Sequence, residues 1–175
     1  MRDFFLDDKA RAVFEMNRQG FVFCFDREKY ALARKYLRQP MEVLREEVES
    51  TPLSLLFLYD QERQSVEDFR ECDGRANVTT EPSGAAFASI AMSTQALAEG
   101  EDYFVFLFAH ELAHLMLPIR YNHEDTYHSV LDFLLDKINK ATGKKIKNDY
   151  LELPESQKPH KARERAQERS DPIHM

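Results

Sequence analysis

A chain of 175 residues with 43% hydrophobic and 31% charged residues has the composition of a globular protein, which excludes a disordered chain. Only 5 glycines are present, which argues against an all-β fold, and no apolar stretch reaches the roughly 20 residues needed to cross a bilayer. The N-terminus lacks the apolar core of a signal peptide. Cys24 and Cys72 form neither a disulfide framework nor a metal-ligand pair. We therefore expect a cytoplasmic protein with reduced thiols and no membrane partner.

Charge is unevenly distributed along the chain. Residues 137–175 carry 10 Lys/Arg against 6 acidic residues, a net of +4, whereas residues 1–136 carry 14 against 25, a net of −11. An acidic body is atypical of a nucleic-acid-binding protein. If nucleic acid is contacted at all, we expect the basic C-terminal part to do so; a solvated tail is the favoured interpretation.

The first 65 residues alternate helical and strand patterns. The run FVFCF favours a buried strand by its length, although continued helical packing is the alternative, and LSLLFLY has the same ambiguity. Proline is well tolerated in the first turn of a helix. The predicted elements are a helix to about residue 18 capped by Asp7 or Asp8, a strand over 21–25, a helix from Asp26, a helix over 41–49 opened by Pro40, and a strand over 53–59.

Residues 60–84 are polar and contain Gly74, Pro82 and Gly84, so we predict a loop or an irregular hairpin there. The alternating run AFASIAM predicts a strand over 86–92. A short helix over 94–98 should follow, capped by Ser93. The next helix should span 102–117, because Pro118 cannot continue it.

Three polar residues interrupt the apolar run FVFLFAHELAHLMLP: His110, Glu111 and His114. Histidines four residues apart project from one face of a helix, one turn above the other. That spacing suits two ligands of a single Zn²⁺, with Glu111 beside them as a general base. A buried helix whose polar residues merely bond to neighbours is the alternative, but burying two imidazoles and a carboxylate without a metal or partner is costly.

A catalytic zinc site usually has a third protein ligand and an open position. Our choice is His123, at the start of an amphipathic helix predicted over 124–140 and ended by Gly143. Other metal-binding side chains follow in the same helix, so the third ligand stays open at this point. The alternatives are His128, Asp132 and Asp136, with Glu124 and Asp125 also in range.

HELAH followed by NHEDTYHSVLDFLLD resembles the WLM and SprT-like zinc metallopeptidases and related small bacterial zincins. In that group an Asn-His or lone His ligand follows the active helix, with an aromatic residue four positions later; the matching residues are Asn122, His123 and Tyr127. The preceding DGRAN, SIAMS and TQAL segments also fit. The resemblance covers about residues 70–140, and the loop between His114 and His123 is longer than in compact members.

The resemblance implies an α+β fold of minimal zincin type, with a small mixed sheet packed on the HExxH helix and flanking helices. We expect one domain over 1–153, comprising an N-terminal part (1–65) and the metallopeptidase core (70–140), followed by a basic tail over 154–175. The substrate would be a protein or peptide.

The predicted activity is zinc-dependent hydrolysis of peptide bonds through a metal-activated water, with Glu111 as general base. Tyr121, Tyr127 or His128 would stabilise the oxyanion. The strand over 86–92, if it lies at a sheet edge, would pair with an extended substrate. Two alternatives remain: a non-catalytic regulatory or interaction protein of zincin fold, and a protease specific for one regulatory partner.

Overall fold

The computed structural model describes residues 3–5, 22–65, 70, 72–117 and 125–148. These ranges contain five α-helices, one 3₁₀ turn at Gln61–Arg63, and a three-stranded mixed sheet, which confirms the predicted α+β class. The elements in chain order are α1 (Arg27–Val43), α2 (Arg45–Glu49), β1 (Leu53–Tyr59), β2 (Gly74–Thr80), β3 (Ala86–Ser93), α3 (Thr94–Ala98), α4 (Glu101–Met116) and α5 (Asp125–Thr142).

The sheet has the order β1-β3-β2, with β1 parallel and β2 antiparallel to β3. The predicted strand over 86–92 is therefore confirmed, but it lies in the centre of the sheet, so the edge position that substrate pairing would need is not met. Both sides of β3 are hydrogen-bonded to neighbours, which leaves no backbone groups for a substrate. Along β1, isolated bridges from Phe5 and Phe23 add to the pairing, whereas no strand of the described residues pairs with the outer side of β2.

Strand β2 lies inside the segment predicted as a loop or irregular hairpin. Its sequence GRANVTT has little apolar alternation, limited to Ala76 and Val78, and its last three residues are exposed. It forms because it pairs with β3 along its whole length, from Gly74 opposite Met92 to Thr80 opposite Ala86. Tertiary pairing thus overrides a weak local preference.

Helix α4 is apolar almost all round and is buried from Phe104 to Ala113. It packs with α1, α5 and one side of the sheet in a single hydrophobic core. The other side of the sheet carries a separate, smaller cluster. Its members are Phe23, Leu55, Phe57, Tyr59 and Ala91.

The N-terminal predictions need two corrections. The predicted strand over 21–25 is wrong. Its described residues form a single isolated bridge, from Phe23 to Tyr59, rather than a strand. Pro40 does not open a new helix, because α1 continues through it to Val43. Pro40 is buried on the same stripe as Ala33 and Leu37, and this packing holds the helix together across the missing N–H. The helix predicted to residue 18 lies outside the described residues.

The helix boundaries near the motif agree with the sequence. Ser93 Oγ accepts a hydrogen bond from Ala96 N at 3.0 Å and caps α3, as predicted. Gly100 (φ 117°) precedes α4, and Gly143 (φ 74°) ends α5. Lys144 then bonds the start of α4, with Nζ 2.8 Å from Asp102 Oδ1, and this hydrogen bond raises the pKa of Lys144.

Within the described ranges, no helix combines the length and apolar character required to span a bilayer. The predicted domain boundary at residue 153 and the basic tail over 154–175 lie outside those ranges.

Candidate metal centre

The last two turns of α4 carry His110, Glu111 and His114. The two imidazoles lie edge to face with ring centroids 4.9 Å apart, and the potential ligand atoms of all three residues lie within 4.8 Å of one another. Side chains of His110 and Glu111 are 1% and 4% exposed, whereas His114 is only partly buried. Among the residues with described positions, this is the one group of three His, Cys or acidic residues close enough to share an ion.

The carboxylate of Glu111 is buried in an apolar environment. Burial raises its pKa to about 8, although a hydrogen bond from the backbone of Ala76 and the charge of Arg75 act in the opposite direction. Glu111 Oε1 lies 3.9 Å from His110 Nε2. The carboxylate therefore lies between the imidazole and strand β2.

Gly74 allows this close approach of helix and strand. A Cβ atom at this position would lie 2.9 Å from Leu107 Cδ1, 3.0 Å from Glu111 Oε1 and 3.2 Å from the carbonyl oxygen of Ala91. A side chain here would collide with both α4 and β3. Gly74 is therefore required for space rather than for an unusual backbone angle.

Asp73, directly before Gly74, anchors the start of β2. The residue is fully buried, and its carboxylate accepts hydrogen bonds from Tyr103 Oη at 2.5 Å, Gln61 Nε2 at 2.9 Å and Ser93 Oγ at 3.4 Å. These donors belong to α4, the 3₁₀ turn and the end of β3. The carboxylate thus joins three elements at the point where β2 approaches Glu111.

We expect Asp73→Ala to lower the free energy of unfolding by about 2–4 kcal/mol, because Gln61, Ser93 and the partly buried Tyr103 each lose a hydrogen bond to the carboxylate. Urea denaturation followed by circular dichroism measures the change. Asp136→Ala is the control, since Asp136 is exposed and pairs with Lys140 on the surface. An equal, small effect of both substitutions would show that the Asp73 network does not stabilise the fold.

Tyr127, near the start of α5, contacts both histidines. Its Oη lies 2.6 Å from His110 Nδ1 and 3.0 Å from the His110 carbonyl oxygen. Its ring stacks on His114 with centroids 4.5 Å apart and an interplanar angle of 29°. The tyrosine is fully buried, so α5 forms the wall behind the two imidazoles.

The alternative ligands of α5 are held elsewhere. His128 is buried, and its Nδ1 lies 3.3 Å from Asn148 Nδ2, which also donates to Asp132 Oδ1 at 3.1 Å. Asp136 pairs with Lys140. In the described part of the chain, His128, Asp132 and Asp136 therefore do not join the group of His110, Glu111 and His114. His123 and Tyr121 lie outside the described residues, so His123 stays a prediction.

The donor set fits zinc. Two imidazole nitrogens on one face of a helix, with a carboxylate beside them, are typical of zinc sites. The sequence did not indicate three contributors to this site: the Ala76 amide, the space at Gly74, and the contact of Tyr127 with both rings.

No protein-family model matches the chain, and comparisons with curated proteins and with solved structures find no match either. The resemblance to SprT-like and WLM peptidases therefore rests on the residue pattern alone.

Proposed function

We propose that this protein is a zinc-dependent peptidase with a minimal zincin-like fold. The observation that carries the proposal is the group of His110, Glu111 and His114, whose potential ligand atoms lie within 4.8 Å of one another beside the outer strand β2. Burial of His110 and Glu111 on an apolar helix is costly without a function that needs them.

His110, His114 and His123 would hold the ion. The contacts of Tyr127 with both described imidazoles support this assignment, because they bring the beginning of α5 next to the metal site. His123 precedes Asp125, the first residue of α5, by only two residues. A bound Zn²⁺ would supply Lewis-acid activation of a water molecule and of the peptide carbonyl.

Glu111 would move the proton. Its carboxylate is placed to accept a proton from the attacking water and to pass it to the leaving amine. The raised pKa, about 8 without an ion, shows that burial makes this carboxylate a stronger base than an exposed one. The hydrogen bond from Ala76 keeps the carboxylate oriented during both transfers.

The substrate would bind along β2 rather than β3. The N–H of Ala76 donates to Glu111 rather than to a carbonyl of β3. Backbone groups alternate between the two sides of a strand, so those of Ala76 and Val78 both face the outer side of β2. Val78 is 48% exposed. An extended protein or peptide segment could add here as a further strand, which would lay its carbonyl groups next to Glu111.

The first test combines metal content with cleavage of a mixed peptide library. We expect the wild type to bind one zinc and to cleave, and Glu111→Gln to bind zinc but lose at least ~10³-fold in cleavage rate. His114→Ala should bind zinc much more weakly. Equal cleavage by Glu111→Gln and wild type would refute the mechanism, and zinc binding without cleavage of any substrate would favour a non-catalytic protein.

The third ligand needs its own comparison. We expect His123→Ala to lose zinc and His128→Ala to retain it, because His128 is bonded to Asn148 and buried away from the group. Zinc per chain after dialysis is the measurement. The reverse pattern would assign the site to His128 and would require α5 to rotate.

A further inference from the structure

The hydroxyl of Tyr127 touches two atoms of the same histidine. Its Oη is 2.6 Å from His110 Nδ1 and 3.0 Å from the His110 carbonyl oxygen. A hydroxyl has one hydrogen to donate, and a carbonyl oxygen can only accept. The two contacts therefore restrict where the hydrogens lie.

Only one arrangement satisfies both contacts. If the hydroxyl donated to Nδ1, its oxygen would face the carbonyl oxygen at 3.0 Å with no hydrogen between two acceptors. If it donates to the carbonyl, Nδ1 must carry a hydrogen and donate it to Oη, and both contacts become hydrogen bonds. The second arrangement is favoured. It places the lone pair of the imidazole on Nε2, the nitrogen that lies 3.9 Å from Glu111.

We infer that Tyr127 is a positioning residue that fixes the metal-binding tautomer of His110 and holds the His114 ring by stacking. A metal-binding histidine commonly donates its other N–H to an acceptor that sets its tautomer and orientation, and loss of that partner lowers metal affinity. Carboxylates and carbonyls are the usual acceptors; here a phenol oxygen takes this role. The inference rests on the proposed zinc site but not on peptidase activity.

This assignment replaces the oxyanion role expected for Tyr127. The residue is fully buried, its hydroxyl is bonded to His110, and its ring covers the side of His114 that faces α5. A group that stabilises an oxyanion has to donate its hydrogen to the substrate. The Tyr127 hydrogen already goes to a carbonyl of α4.

The experiment uses the full chain in an inactive Glu111→Gln background. The ¹⁵N chemical shifts of the metal-free protein report the tautomer of His110, and competition with a chelator gives the zinc affinity. Tyr127→Phe removes only the hydroxyl, whereas Tyr127→Leu also removes the stacking ring. Tyr30→Phe is the matched control: it removes a buried hydroxyl that accepts from Leu58 N on β1, the strand at the opposite edge of the sheet from β2.

We expect the parent protein to show His110 protonated on Nδ1. Tyr127→Phe should weaken zinc binding about 10–100-fold and populate the other tautomer, and Tyr127→Leu should weaken it further. Tyr30→Phe should change neither readout. The inference is overturned if His110 of the parent carries its hydrogen on Nε2, or if Tyr127→Phe binds zinc as tightly as the parent.

The two proposals fail separately. Absence of zinc binding by the parent would refute the proposed function, while the His110 tautomer in that same metal-free protein would still decide the role of Tyr127. The tautomer measurement on the parent does not depend on whether the Tyr127 variants fold.

Discussion

Glu111→Gln is expected to stabilise the metal-free protein at pH 8–9, raising the free energy of unfolding by on the order of 3 kcal/mol. The carboxyl is buried, and its pKa is about 8 in the folded protein against an ordinary value of 4.5. A neutral amide fills nearly the same volume and can still accept the hydrogen bond of Ala76. It avoids the cost of a buried charge.

The sign follows from proton binding. Below pH 4.5 the carboxyl is neutral in both folded and unfolded protein, so the wild type and Glu111→Gln should differ little. Between pH 4.5 and 8 the unfolded chain ionises while the folded one does not, so the stability of the wild type falls as the pH rises. Above pH 8 both states are ionised and the difference stays constant.

Urea denaturation at pH 5, 7 and 9 with a chelator present measures this dependence. Glu46→Gln, at an exposed position of α2, is the control and should leave the pH dependence of stability unchanged. Added zinc should reduce the advantage of Glu111→Gln, because a cation beside the carboxylate favours its charged form. A stability difference that does not grow with pH would contradict the burial of an ionisable Glu111.

The helical part of the site was predictable because its signals are local. The four-residue spacing of His110 and His114 places both side chains on one face of a helix. Gly100 directly precedes α4, which ends at Met116. The cap at Ser93 depends on one side chain and the amide of Ala96. These features involve residues that are close in sequence, so pattern and structure agree.

The strand part of the site was not predictable because little in its own sequence favours a strand. Strand β2 has little apolar alternation and exists through its pairing with β3 and the three donors bound to Asp73. The placement of β3 in the centre of the sheet depends on which strands return beside it, and the sequence contains no register signal for that. The sequence predicted that Tyr127 belongs to the site. Its contacts with His110 and His114 depend on how α5 packs against α4, which the sequence does not indicate.

Gly74→Val is expected to destabilise the protein and to abolish the proposed peptidase activity, because the site depends on helix α4 and strand β2 approaching each other at this residue. Even the first added carbon would lie 2.9 Å from Leu107 Cδ1, 3.0 Å from Glu111 Oε1 and 3.2 Å from the Ala91 carbonyl oxygen. Overpacking of this kind costs about 1–3 kcal/mol, and Gly74→Ala should fall within that range, with valine above it. Either side chain would push the Glu111 carboxylate away from Ala76 N–H.

Three measurements separate the effect on Glu111 from general unfolding. At a temperature where the variant is folded, Gly74→Ala should bind zinc nearly as tightly as the wild type, since neither imidazole is touched, yet cleave at least ~10-fold more slowly. Gly84→Ala is the control: its added carbon meets no atom within 4 Å, and it should cost only about 1 kcal/mol from the left-handed backbone angle. If Gly74→Ala cleaves as fast as the wild type, then contact between β2 and Glu111 is not required for the reaction. The carboxylate would then have to transfer the proton without being oriented by the strand.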